Sequence, residues 1–155
     1  MAKAEQFLQS YLMHRNVLGE LVATLKDEDV QFSPWDKAMS TGDLIWHMLS
    51  SSYSFSAAAA TGQFERVTDK PALTTIAEVQ SAIAAWTDKT VNNIRSMTDE
   101  KFDELVDMTK VFGTQIPAGA LLQSMRDHEI HHKGQLFVYA RLCGADGLPL
   151  FIKRG

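Results

Sequence analysis

Residues 128–136 read HEIHHKGQL, and the way this stretch is parsed decides both the fold and the chemistry. Parsed as H-E-x-x-H, it is the zinc signature of a metallopeptidase helix, with the glutamate as general base. Parsed as two histidines four residues apart, it says only that one helix offers two imidazole nitrogens to a metal. A peptidase needs a third protein ligand, usually downstream. The 23 residues from Lys133 to Gly155 contain neither Glu nor His. The longer metzincin spacing would place Gly and His where this chain has Gln135 and Val138. The peptidase parse fails on ligand supply.

The flanks of the motif predict a long last helix. Pro117 suits its first turn, and the helix is expected to run to Cys143 and end at Gly144. At about 100° per residue, Leu121, Met125, His128, His132, Leu136 and Tyr139 share an arc of about 80°. This phase puts His128 and His132 in the middle of a core-facing stripe and His131 on its flank. Glu129 lies at the edge of that face, as a general base, as a partner of the ligands, or as a solvent-facing glutamate. Gln135 is nearer the ligand arc, where its amide can hydrogen-bond a bound water or a ligand's free ring nitrogen.

Three more helices are legible upstream. The first is expected from about Glu5 to Leu25, with Phe7, Tyr11, His14, Leu18, Leu21 and Leu25 as its apolar stripe. Ser40 looks like the N-cap of the second, with Asp43 as an imperfect capping-box partner. That helix should run to about Ala60 and stop at Gly62, with Leu44, His47, Ser51, Phe55 and Ala58 facing inward. Thr75 and Glu78 form a capping box for the third, Ile76 to about Met97. Between these lie a loop, "TGQFERVTDKPALT", and a short helical piece followed by extended or hairpin-like chain around Gly113. The tail "ADGLPLFIKRG" is apolar enough to pack back on the body. The expected architecture is all-α, a single-domain (residues 1–155) up-down four-helix bundle with long loops and a packed C-terminal tail.

Burying an unpaired ring nitrogen costs about 1–3 kcal/mol, so inward histidines need partners. A lone one is usually satisfied by a carbonyl or hydroxyl. His128 and His132 at i and i+4, with His47 inward on a second helix, shift the balance toward a metal with an open position. His14 shares the first helix's apolar stripe, as a fourth ligand or as an ordinary core or bundle-end residue. Cys143 lies about three turns from His132, too far to join its ligand set, and reads as a small packing residue.

Composition narrows the function classes. The chain is 45% hydrophobic and 22% charged, with a net charge of −4 and scattered basic residues, which argues against a nucleic-acid surface. One cysteine excludes an internal disulfide framework and fits a reducing compartment. No stretch approaches the roughly 18 apolar residues of a membrane span, and no signal segment is apparent, so a cytoplasmic protein is expected.

With "HEIHHKGQL" on the last helix and "GDLIWHM" on the second, the chain resembles the DinB family of DNA-damage-inducible bacterial proteins. "FSPWDKAMS" and "HHKGQLFVYARLCG" leading into "GLPL" extend the resemblance over essentially the whole chain. It implies a four-helix bundle, often dimeric, with zinc or nickel held by three histidines. Residue by residue these are His47, His128 and His132. It also implies kinship with transferases that use low-molecular-weight thiols such as bacillithiol or mycothiol, in which the metal activates the thiol. The expected activity is metal-dependent activation of a thiol, or of water, toward a small-molecule substrate in a stress response. The alternative is a non-catalytic stress protein with a structural or sensing metal. A metal-dependent nuclease is the weakest reading, for lack of a carboxylate-rich site and a basic surface.

Overall fold

Local signals set most helix ends in the computed structural model, which describes residues 1–154. Helices α1 (Lys3–Arg15) and α2 (Val17–Val22) make up the first segment. Asn16 interrupts it while keeping right-handed backbone angles, its N–H reaching the Leu12 carbonyl at 2.9 Å. The single helix expected from Glu5 to Leu25 is therefore two, and a 3₁₀ turn, Asp27–Gln31, follows. Helix α3 (Thr41–Thr61) starts where the Ser40 hydroxyl accepts the Asp43 N–H at 3.1 Å and stops at Gly62, whose φ is 84°. The Asp43 carboxylate pairs with Lys70 and leaves the capping box incomplete. Helix α4 (Ile76–Arg95) carries the full box, with Thr75 and Glu78 each satisfying the other's N–H. A 3₁₀ turn, Glu100–Asp103, leads to an antiparallel pair, β1 (Leu105–Asp107) and β2 (Gln115–Pro117), around the four-residue helix α5 (Thr109–Phe112) and Gly113. Helix α6 (Ala118–Leu142) completes the order, with Pro117 as its N-cap and Gly144, φ 86°, just past its end.

The long segments close a ring. Helix α3 packs on α4 and α6, and the α1–α2 segment packs on α4 and α6 from the other side. Cross-links fix their directions. Glu5 meets Arg95 at 3.0 Å and Gly19 meets Gln80 at 2.9 Å, so the first segment and α4 are antiparallel. His47 beside His132, and Phe55 beside His128, make α3 antiparallel to α6. Ser10 to Arg126 and His14 to Lys133 make α1 parallel to α6, and the contacts Tyr53–Trp86 and Ser56–Asn93 make α3 and α4 parallel. The directions are therefore up, down, down, up, which corrects the simple up-down alternation. The physical reason lies in residues 62–75. At up to about 3.3–3.6 Å per residue, this connection is long enough to return along the whole of α3, so α4 can start beside the start of α3.

The core divides into two apolar clusters. One gathers Leu18, Leu21, Leu44, Met48, Ile83 and Leu136; the other gathers Tyr11, Ala58, Ile94, Phe102, Leu121 and Met125. Between them on the four segments lies a polar layer of Arg15, Ser52, Thr87 and Glu129. Arg15 Nε and Nη2 donate to Glu129 Oε2 and Oε1 at 2.8 and 2.7 Å, in bidentate geometry. Its Nη1 reaches Thr87 Oγ1 and its Nη2 reaches Ser52 Oγ, both at 3.0 Å. One guanidinium thus ties all four segments together.

The tail folds back as expected. Ala145 and Leu148 pack on the first cluster, Lys153 N–H donates to the Met13 carbonyl at 2.8 Å, and Lys133 Nζ donates to the Phe151 carbonyl. No helix among the described residues is long and apolar enough to cross a membrane.

Candidate metal centre

The histidines are placed by helix phase, but not quite by the phase expected. On α6 the buried set is Leu121, Leu122, Met125, Glu129, His132, Lys133, Leu136 and their neighbours. Its centre lies about 50° round from the apolar arc, near Glu129. On α3 the buried set includes Ile45, Met48, Leu49, Ser52 and Ser56, rotated by about 90° from the expected face. His47 and His128 are consequently half-buried at the border of the core, and His132 is buried just inside it. The stripe shifts because Glu129, Ser52 and Lys133 go inside with hydrogen-bond partners, which a count of apolar residues assigns to solvent.

That border is where the three imidazoles meet. Nε2 of His128 lies 3.0 Å from Nε2 of His47 and 3.0 Å from Nε2 of His132. The rings are edge to face, with centroids 4.4–4.8 Å apart. His132 Nδ1 sits 2.7 Å from Gln135 Oε1. A carbonyl oxygen only accepts, so Nδ1 is the donor in this pair, and the matching tautomer has its lone pair at Nε2. Burial, then the neighbouring His132 and His47, lowers the His128 pKa to about 4. His47 is lowered by burial, His132 and the Arg66 charge. His47 and His128 are thus held neutral near pH 7, the form that ligates.

This donor set fits a divalent cation. A single proton on His128 Nε2 can be donated to one neighbour only and leaves the other nitrogen without a donor; a cation between them satisfies all three. Ligand nitrogens about 2.1 Å from one metal are separated by about 3.0–3.4 Å in octahedral or tetrahedral geometry, which includes the two separations seen here. His47, His128 and His132 are a group among the described residues whose donors all lie within 4.8 Å of one another.

The other candidates lie elsewhere. His131 is exposed, its ring 4.7 Å from that of His132. His14 is half-buried, accepts from Lys133 Nζ at 2.9 Å through Nδ1 and lies outside the group of three. The stripe position expected for His14 belongs to Arg15, 1% exposed. Glu129 is 0% exposed, and both of its oxygens are engaged by Arg15. The solvent-facing glutamate is corrected, because a buried guanidinium needs a counter-charge. Cys143 is half-buried against the core, its thiol pushed up to about 11 by burial and by Asp29.

A cavity of about 400 Å³ opens beside His47 and His128. Ser51, Ser54 and Ser124 give it hydroxyls, and Phe55, Phe64 and Phe112 an apolar wall. Sequence reading missed Phe64, Arg66 and Val67, which come from the connection between α3 and α4. Phe64 and Val67, the two apolar residues within the polar run 63–70, were the available signal.

A family model described as the DinB family matches residues 1–151. The uncharacterised protein YjoA of Bacillus subtilis is 33% identical over 154 residues, with 99% of each chain covered. The crystal structure of that DinB-like protein superposes with a TM-score of 0.84 at 31% identity, covering 97% of this chain and 99% of the other. A DinB-like protein from Bacillus cereus, 23% identical, shares the fold with a TM-score of 0.78 over 94% of this chain and 95% of its own.

Proposed function

The chain belongs to the DinB family, and from that premise we propose that His47, His128 and His132 hold one divalent metal, zinc or nickel, at which a small-molecule thiol is activated for transfer. The observation that carries this reading is the meeting of three Nε2 atoms at the wall of a cavity. When bound, the metal supplies a Lewis acid that lowers the pKa of a group entering its open position. Gln135 holds the His132 ring in the ligating tautomer by accepting its Nδ1 proton. The phenylalanine wall excludes water from one side of the approach, and the serine hydroxyls can orient a polar substrate on the other. In this reading the ring of helical segments is the four-helix bundle of the family.

A thiol is favoured over water by the carboxylate inventory. Among the described residues neither Asp nor Glu lines the cavity, and Glu129, beside the ligands, is bound to Arg15. A thiol of ordinary pKa, about 8.5, needs far less help to ionise near neutrality than water does. A structural role is the competing reading, supported by the fact that the cluster bridges α3 and α6.

Elemental analysis tests the metal. The protein should carry about one divalent ion per chain, and the His128→Ala, His132→Ala double variant close to none. Equal metal in the two would sink the reading. Cobalt-loaded protein then separates enzyme from structural site. Added thiol should raise a sulfur-to-metal charge-transfer band, whereas an unchanged spectrum favours a closed structural centre.

A further inference from the structure

The charge on the cavity wall narrows what can occupy it. Among the described residues Arg66 is the one Asp, Glu, Lys or Arg lining the cavity, and it lies on the exposed rim. Its guanidinium stands over the Phe64 ring, 5.6 Å from the centroid, and makes no ion pair among the described residues. The other long cations near the cluster are engaged: Arg15 by Glu129, and Lys133 by His14 and the Phe151 carbonyl. Beneath Arg66, Phe55 packs 5.8 Å from Phe64 and 6.1 Å from Phe112 by ring centroids. The cavity therefore has a cationic rim, an aromatic wall and a histidine end.

We propose that the pocket selects organic carboxylates: the acid pairs with Arg66, an aryl or branched-alkyl body lies on Phe55, Phe64 and Phe112, and the far end meets His47 and His128. The proposal deepens the reading of the histidines as a reaction centre, but only its last clause rests on that reading. A planar carboxylate matches the fork of one guanidinium, which donates two parallel hydrogen bonds to it. The protein carries a net charge of −4, so its overall field does not attract anions and the selection is local to Arg66. At about 30 Å³ per water-sized group, the cavity holds about a dozen heavy atoms, the size of a short aryl-alkyl acid.

The probes are ω-phenylalkanoates with two to five chain carbons and their matched alcohols, titrated calorimetrically into metal-free and metal-loaded protein. At least one acid should bind saturably to the metal-free protein. Its alcohol should bind about tenfold more weakly, and Arg66→Met should remove that preference while Arg66→Lys keeps part of it. Circular dichroism should show Arg66→Met folded, since the side chain is exposed and unpaired. Equal binding of acid and alcohol, or an acid preference untouched by Arg66→Met, overturns the proposal. So does the absence of saturable binding by any acid in either form. Acid binding that needs the metal and ignores Arg66 overturns it while leaving the metal reading intact. Arg66-dependent binding in a protein that takes up no metal upholds the anion site and removes the proposed function.

Discussion

His128 and Glu129 are neighbours in sequence and belong to two polar clusters of opposite kind. The Arg15–Glu129 cluster is closed. Both partners are at most 1% exposed, the carboxylate is held in a bidentate pair, and the guanidinium is shared with Ser52 and Thr87. The histidine cluster is open. Its nitrogens face one another and a cavity, with one outer bond to Gln135. Both sit on α6, separated by a turn of about 100°. The difference teaches that a buried charge with its bonds made serves the fold, whereas convergent ring nitrogens beside a cavity form a group that could hold a metal ion. In an H-E-x-x-H peptidase the glutamate serves the metal; here it serves the core.

The largest expected effect breaks the closed cluster. Glu129→Ala leaves the Arg15 guanidinium buried and unpaired, and should cost about 3–5 kcal/mol in denaturant unfolding. Arg15→Met combined with Glu129→Leu should recover most of that loss, because an apolar pair needs no counter-charge. A cost below about 1 kcal/mol for Glu129→Ala would mean the layer is wet and the contrast with the histidines overdrawn. Gln135→Leu attacks the open cluster from outside. It should weaken metal affinity by about 10–100-fold, measured by chelator competition, with little change in the stability of the metal-free protein.

Acid sharpens the contrast next. His47 and His128 have pKa values lowered from 6.5, that of His128 to about 4. Between those values the unfolded chain binds more protons than the native one, so stability rises with pH across the window and is lost as pH falls through it. For the metal-free protein, half-exposure and screening reduce the effect to about 1 kcal/mol, a fall in Tm of about 2–4 °C from pH 6.5 to 4. His128→Phe should flatten that slope. The smallest effect is that of His131→Ala. Its ring is exposed, and its loss should change metal affinity by less than about twofold. A larger drop would place the wrong histidine in the cluster.

Much of this was legible locally. Ser40, Gly62, the Thr75–Glu78 box and Gly144 set helix ends through backbone bonds within a few residues. The i, i+4 spacing put His128 and His132 together; His47 joins them from the border of α3, although the face read as inward lies about 90° from the buried one. Gly134, inside the motif that carried the family resemblance, has no steric reason here, for a Cβ there would meet nothing within 4 Å.

The sequence alone determined three of the long helices, their caps and the i, i+4 pair of histidines, because each depends on periodicity or on contacts a few residues apart. Tertiary structure decided the rest. Hydropathy ranks Glu129 and Lys133 as surface residues; only packing could bring Arg15 and His14 to them and turn both faces. Only the parallel run of α3 and α4 could send residues 62–75 back along the body and set Phe64 and Arg66 over the histidines. Partners from distant parts of the chain leave no periodic trace in it, so pairing and direction become visible only when the chain is folded.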